Sequence, residues 1–433
     1  MDRRRFFDSV SIIRSLGTLK GNTRVSVIFE PLWGIPFVLF NFYLSLYMKE
    51  LGITDRQIGY LISLGFIAGA VFSLFSGVIT DRLGRKKTTV IFDFISWPIA
   101  MVIYLLSNSF WMFALATLVN SILRIVSVSW NLMVVEDADN QQRIAAFNLL
   151  NIINIATGII IPVAGIFVNA YGVVTAERIF LSFAAVSMSI MVFGRNHFYK
   201  ETNVGRRLLE EHKRNPVKNS IKTILPFKAA AVFSRSPSAV MVICVFILFN
   251  IYMPLGTVNS LFFAPYMTEV LLLGKPVISI LGGVYSAVMF VIFIFVVPVI
   301  SRRNNVALMI AGLIIQAVSL LLLVVIPSGS LVLTILCIIL YATGFGIFRP
   351  YIDSLLARVT EGNHRAGIYS IVNTLTCVLT ALIGFVSGSL YLINPRLIYI
   401  VSIAILAVCG VILAAYLRYG AQKPADSGTS VEA

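Results

Sequence analysis

The sequence predicts an all-α integral membrane protein with twelve transmembrane helices, arranged as two pseudo-symmetric six-helix bundles. Three observations carry that prediction. First, 58% of the 433 residues are hydrophobic and only 12% are charged, with a mean hydropathy of +0.91. A water-soluble domain of this size needs far more polar surface. Second, apolar runs of about 20 residues, the length of a helical bilayer crossing, recur twelve times along the chain. Third, one long hydrophilic stretch divides those runs six and six.

The expected spans are 27–48, 57–79, 88–107, 109–135, 144–169 and 176–194 in the first half. In the second half they are 239–263, 277–300, 306–326, 331–356, 367–392 and 396–417. The chain then divides into an N-terminal segment (1–26), a first bundle (27–194), a linker (195–238), a second bundle (239–417) and a tail (418–433). In the N-terminal segment, "DRRRFF" is not followed by a continuous apolar stretch, which argues against a cleaved export signal. Phe6, Val10, Ile13 and Leu16 fall at helical spacing, so this segment is either a short interfacial helix or an unstructured tail.

Internal similarity links the two halves. "RIAAFNLLN" (143–151) parallels "RAGIYSIVN" (365–373), "VITDR" (78–82) parallels "VISRR" (299–303), and "YMKE" (47–50) parallels "YMTE" (266–269). The offsets are nearly constant, so the halves should be parallel repeats with a site between them near the bilayer midplane.

The net charge of +15 is placed by topology. Taking the N-terminus as cytoplasmic puts 27 Lys and Arg on that side and five on the other, counting Arg178 and Arg396 at the outer ends of their spans, with Arg124 and Arg349 deeper inside spans. That bias sets both termini in the cytoplasm and removes any need for a nucleic-acid partner. Attraction to anionic membrane lipids is a by-product. The four cysteines, Cys244, Cys337, Cys377 and Cys409, sit in apolar runs without pairing or metal spacing. The three histidines fall in expected loops. No catalytic constellation, cofactor motif or metal motif is legible, so an enzyme is not expected.

One compact charge cluster interrupts the apolar pattern: "GVITDRLGRKK" at 77–87, between spans 2 and 3. Asp81 there would suit the N-terminus of span 11, where unpaired N–H groups and the helix dipole favour an acid. Glu136, Asp137 and Asp139 end span 4 at the same face and offer pairing to Arg82, Arg85 or Lys86. Gly77 would permit close helix approach and Gly84 a tight turn. Gly77-x-x-x-Asp81-Arg82-Leu83-Gly84-Arg85-Lys86-Lys87 resembles the signature of the major facilitator superfamily, in the loop after its second helix, and the likeness of topology covers all twelve spans. The second copy, "PVISRRNN" (298–305), is degraded. The resemblance implies alternating access, with this cluster acting as a latch that holds the halves together when the transporter is open outward.

Ionisable residues at bilayer depth are costly and therefore functional candidates. Arg124 lies near the midplane of span 4, where the resemblance implies proton coupling, although the usual following glycine is missing. The nearest acid expected inside a span is Asp93 on span 3. Glu30 sits near the inner edge of span 1, either as a coupling group or as a boundary marker. Arg349 and Asp353 share one face of span 10 and can pair. Asn41, Asn151 and Asn373 are candidate cavity amides. Gly158-x-x-x-Pro162-x-x-Gly165 on span 5 resembles part of the antiporter motif of drug-efflux branches, with Ile161 in place of a glycine. A plain small-residue packing seam is the alternative reading.

These readings predict a monomeric secondary transporter of the cell membrane, driven by an ion or substrate gradient. Proton-coupled efflux of small amphiphilic or cationic molecules is the first expectation. Uptake of a polar or anionic nutrient is the second, and a lipid flippase the third.

Overall fold

The computed structural model describes residues 17, 19–214, 237–258, 260–296, 305–359 and 365–421. The interfacial helix expected at 6–16, most of the second motif copy and the linker beyond residue 214 lie outside the described residues.

No strand occurs among the described residues. Span 1 is α1 (Gly21–Phe29) with α2 (Pro31–Glu50), and span 2 is α3 (Asp55–Leu83). Span 3 runs from α4 (Arg85–Phe94) through a π-helical turn at Ile95–Ile99 into α5 (Ala100–Leu106). Pro98 lies in that turn, and its missing N–H is the local cause of the irregularity. Span 4 is α6 (Phe110–Ser121) with α7 (Leu123–Val135). Span 5 opens with α8 (Asn140–Gly158), and α9 (Ile161–Phe198) completes it and continues into span 6. An amphipathic helix, α10 (Asn203–Arg214), follows. Spans 7 to 12 comprise α11 (Pro237–Gly256) with the short α12 (Phe263–Glu269), α13 (Lys275–Val291), α14 (Asn305–Val325), α15 (Leu331–Val359), α16 (Arg365–Ile393) and α17 (Arg396–Ala421).

Among the described residues eleven helical stretches are long and apolar enough to cross a membrane, and one of them, Gln141–Phe198, is 58 residues long. A straight helix of that length would span about 87 Å, nearly three hydrocarbon thicknesses. It is not straight, because Gly172 takes φ +75°, a conformation that only glycine adopts without strain. Gly158 packs on Ser286 and Gly165 on Ser279, so span 5 rises toward the end where Lys275 pairs with Glu50. Ser187 then reaches Leu32 and Gly194 reaches Phe29, so span 6 descends alongside span 1. The 58 residues thus hold two antiparallel crossings, which is consistent with twelve in all.

Several spans outrun their apolar windows. Span 1 starts at Gly21 because its polar first turn is buried and bonded: Thr23 Oγ1 donates to Val134 O at 2.8 Å and Asn22 Nδ2 to Lys200 O at 2.8 Å. Span 2 starts at Asp55 behind a reciprocal cap between Thr54 and Gln57. Asp139 caps span 5 by accepting from the Gln142 N–H at 2.8 Å. That hydrogen bond lowers its pKa below the usual carboxylate value.

The repeat is visible in side-chain bonding. Tyr47 and Tyr266, which are equivalent in "YMKE" and "YMTE", are both fully buried. Tyr47 donates to Tyr104 O at 3.4 Å and Tyr266 to Leu323 O at 3.2 Å, each 57 residues along the chain. Arg143 donates Nε to Val135 O at 2.8 Å. The side chains of its counterpart Arg365 and of Asn373 lie outside the described residues.

Candidate functional site

The charge cluster forms a hub at the basic face. Arg85 is buried and binds two acids: Nη1 lies 2.9 Å from Asp81 and Nη2 lies 3.1 Å from Glu136. Glu201, just past span 6, accepts from the Arg85 and Lys86 backbone N–H groups at 2.9 and 3.1 Å, capping the start of span 3. Thr202 Oγ1 also donates to Glu136. Gly84 takes φ +87°, and a Cβ there would lie 2.6 Å from Glu201, so both conformation and space require glycine.

Three expectations change here. Asp81 was expected against span 11 and instead pairs with Arg85 four residues on, one helical turn away. Asp137 turns to Asn203, accepting from its backbone N at 3.2 Å, and meets no base among the described residues. A Cβ on Gly77 would meet nothing within 4 Å, so no helix approaches it in this conformation. Arg82 is exposed on the last turn of span 2. Glu201 and Thr202 were missed because they follow span 6 in sequence and carry no motif.

The opposite face is sealed between the halves. Lys49 binds Asp55 at 2.8 Å and also Glu269, and Lys275 binds Glu50. Tyr43 donates to Lys275 O at 2.7 Å. Two glycine seams lie beneath. On span 5, a Cβ at Gly158 would lie 2.1 Å from Ser286 Oγ, one at Gly165 would lie 2.1 Å from Ser279 Oγ, and Pro162 packs on Gly283. Between spans 2 and 11, a Cβ at Gly59 would lie 2.7 Å from Gly384 O and one at Gly388 would lie 2.3 Å from Asp55 O. Gly158, Pro162 and Gly165 therefore form an inter-half packing seam. The named contacts between halves lie toward this face, while the bonds named above for Arg85, Glu136 and Glu201 stay, among the described residues, within the first half and the segment that trails it.

A cavity of about 350 Å³ lies between, lined by spans 1 to 4 and the end of span 7. Its wall holds Arg124, Asn41 and Asn120, the aromatic rings of Phe37, Phe40 and Trp97, and, among the described residues, no Asp or Glu. Arg124 rests its stem against Gly69, where a Cβ would lie 3.3 Å away. Asn120 donates Nδ2 to Ser96 O at 2.8 Å, which fixes its amide and leaves its carbonyl as an acceptor. Asn151 does not join the wall; it is exposed on span 5.

Asp93 does not pair with Arg124. It is buried with Glu30 around Arg195, a residue that sequence reasoning counted as the first linker cation. Arg195 Nη2 lies 2.8 Å from Glu30 and Nη1 lies 3.6 Å from Asp93. A second cavity of about 180 Å³ touches all three, together with Trp33, Trp97 and Trp130.

Glu177 on span 6 was also missed. It is fully buried, and neither carboxyl oxygen has a hydrogen-bond partner. An isolated charge in that position would cost more than the fold supplies. Glu177→Gln, which removes the charge at constant volume, should therefore leave thermal unfolding within about 0.5 kcal/mol of wild type, whereas Glu177→Lys should prevent folding. Thermal unfolding of the detergent-purified variants checks this, and a clearly destabilised Gln variant would show that the charge is needed.

In the second half, Arg349 pairs with Asp353 at 2.9 Å, as spacing predicts, and donates to Asn250 Oδ1 at 3.3 Å. A buried tyrosine group, Tyr252 bonded to Tyr341 and to Gln316, rigidifies that half.

The family model described as Major Facilitator Superfamily matches residues 33–261 and 249–432. No curated protein matches the chain in sequence. Among solved structures, the nucleoside transporter NupG aligns with a TM-score of 0.68 at 16% identity, covering 92% of this chain and 100% of that one. A D-xylose-proton symporter aligns with a TM-score of 0.69 at 14% identity, covering 91% and 97%. A bacterial homologue of the iron transporter ferroportin, in an inward-facing state, aligns with a TM-score of 0.66 at 16% identity, covering 91% and 98%. At such identities the likeness is one of fold. Together with the family match over both repeats, it shows that this chain belongs to the major facilitator superfamily.

Proposed function

We propose that the chain is a secondary transporter for small polar molecules bearing an anionic group, working by alternating access in the cell membrane. The basic face and both termini are cytoplasmic in this reading, so the sealed opposite face corresponds to an inward-open state. The observation that carries the cargo class is the cavity wall. Among the described lining residues Arg124 carries the one formal charge, and no acid is found with it. A guanidinium in a low-dielectric cavity favours a carboxylate or phosphate, which it can bind through two parallel hydrogen bonds. It disfavours a cation, so the charge of the wall argues for the second sequence expectation over the first. Asn41 and the Asn120 carbonyl suit a cargo with polar groups, and the Phe37, Phe40 and Trp97 rings suit a planar or apolar body. The span 5 seam keeps exchange open as the mode of transport, because it joins the halves where the antiporter-like motif lies.

The test is counterflow in proteoliposomes loaded with a panel of organic anions, uncharged polar solutes and quaternary ammonium cations. Saturable exchange of an organic anion, competed by other anions and not by the cations, is the expected result. Saturable exchange of the cations alone would overturn the reading.

A further inference from the structure

Glu30, Asp93 and Arg195 form a charge group set apart from the cargo cavity, and its arithmetic is unbalanced. Two carboxyl groups face one guanidinium. Glu30, Asp93 and Arg195 are all at least nine-tenths buried, at 7%, 3% and 4% exposure. The titratable and polar groups that face them are few. Span 1 supplies Ser26, whose carbonyl accepts from Arg195 at 3.2 Å. Span 4 supplies the Trp130 ring, 5.8 Å from the guanidinium. Tyr199, following span 6, bonds to Ser26 Oγ at 2.7 Å. None of these adds a positive charge, so with both acids ionised one buried negative charge would remain uncompensated. Proteins do not keep such a charge; they bind a cation or a proton.

We propose that this group is a one-proton coupling site, in which Glu30 and Asp93 together bind one proton per transport cycle. The proposal rests on the transport reading above. Arg195 is closer to Glu30, at 2.8 Å, than to Asp93, at 3.6 Å. The tighter, charge-assisted bond favours Glu30 as the anion and leaves Asp93 as the acceptor, although the proton belongs to the coupled pair. Balance is simple: a carboxylate oxygen takes a proton from water on loading and returns it to water on release.

The second cavity supplies the path. Three buried donors around it, Trp33 Nε1, Trp130 Nε1 and Arg195 Nε, have no acceptor among the described residues. Its volume of about 180 Å³ can hold several waters at roughly 30 Å³ each. Trp97 and Leu123 line both this cavity and the Arg124 cavity. Trp97 also packs edge-on against Trp33 and Phe37, with centroids at 5.4 and 5.8 Å. A change of charge at Asp93 therefore meets the cargo wall through one layer of side chains. This is how proton loading is felt by the cargo without the two sharing a ligand.

The experiment compares full-length wild type with Asp93→Asn and Glu30→Gln in proteoliposomes, reading pH-gradient-driven accumulation beside gradient-free counterflow. Asp93→Asn should lower gradient-driven accumulation at least about tenfold while counterflow stays within about twofold, because the cargo site is intact. A residue serving only the fold would move both together. Tryptophan fluorescence of the purified protein, titrated with pH and without cargo, gives a readout independent of the cargo assignment. Wild type should show one transition that Asp93→Asn abolishes. If the Asp93→Asn protein keeps both its fluorescence transition and full gradient-driven accumulation, the site is not the coupling site. If a sodium gradient drives accumulation in wild type and a pH gradient does not, the proton assignment falls. A failed cargo panel with an intact fluorescence result would count against the cargo class and leave the proton site standing.

Discussion

Gly165→Val is expected to abolish transport and to shift the chain away from the conformation described here, toward one open at the face opposite the charge hub. The reason is space. A Cβ at Gly165 would lie 2.1 Å from Ser279 Oγ and 2.3 Å from Pro276 O. The serine side chain can rotate, but the backbone carbonyl cannot, so spans 5 and 8 must part. Overpacking of a tight seam costs about 1–3 kcal/mol. Two conformations of a transporter differ by only a few kcal/mol, so a penalty confined to one of them shifts the populations by about 5- to 150-fold. Gly388→Val should act alike on the other seam, because its Cβ would lie 2.3 Å from Asp55 O. Gly77→Ala is the control, since nothing lies within 4 Å of that position. The measurement is cross-linking between cysteines placed at Lys49 and Glu269 in a background without the four native cysteines, read beside counterflow. High cross-linking in the control and a large loss in Gly165→Val are expected. Equal cross-linking and equal transport in both would show that the seam tolerates a side chain and does not set the conformation.

The fold was legible because its determinants are local and repetitive. Apolar length, the bias of Lys and Arg, and the repeat each report one physical constraint, and the constraints agree. The tyrosine pair Tyr47 and Tyr266 shows why a short repeat such as "YMKE" and "YMTE" was informative: each ring packs and bonds at the same place in its half. The hub was half legible. Gly84, Arg85 and Glu136 stood in a recognisable motif and at an expected helix end. Glu201 did not, because its role is to cap a helix more than a hundred residues earlier in the chain, and no spacing rule reaches across that distance. Arg195 was hidden by the method of finding spans. The apolar window closed at residue 194, so the next residue was counted as a loop cation, whereas the helix runs on to Phe198 and buries it. Asp93 and Glu30 were recognised as candidate acids, but Asp93 was set beside Arg124 and Glu30 was given no partner. Helix packing instead brings span 6 and Arg195 to both. Asp81 departs for a different reason: Arg85 lies one helical turn on and takes up its carboxylate at 2.9 Å, a local pairing that competes with any partner on span 11.

Arg124→Ala is expected to lower transport of an anionic cargo by at least about a hundredfold while leaving membrane insertion and thermal stability near wild type. Two effects decide the size. A charge-assisted hydrogen bond contributes about 1.5–3 kcal/mol, and losing a bidentate pair in a water-poor cavity falls at the upper end. That alone gives roughly 10- to 150-fold. Stability should change little because Arg124 is not committed to Asp93, which is held by Arg195, so removing it leaves no buried acid without its partner. Losing the stem exposes some apolar wall beside Gly69, a minor cost next to the charge. Arg124→Lys separates charge from geometry. It keeps the positive end but loses the planar fork, so transport should fall about tenfold, chiefly through weaker cargo binding. Insertion is checked by size-exclusion profile and expression, and transport by counterflow of the best anion at several concentrations. If Arg124→Ala transports that anion at the wild-type rate and affinity, the guanidinium does not touch the cargo, and the anionic class assigned to the cavity loses its basis.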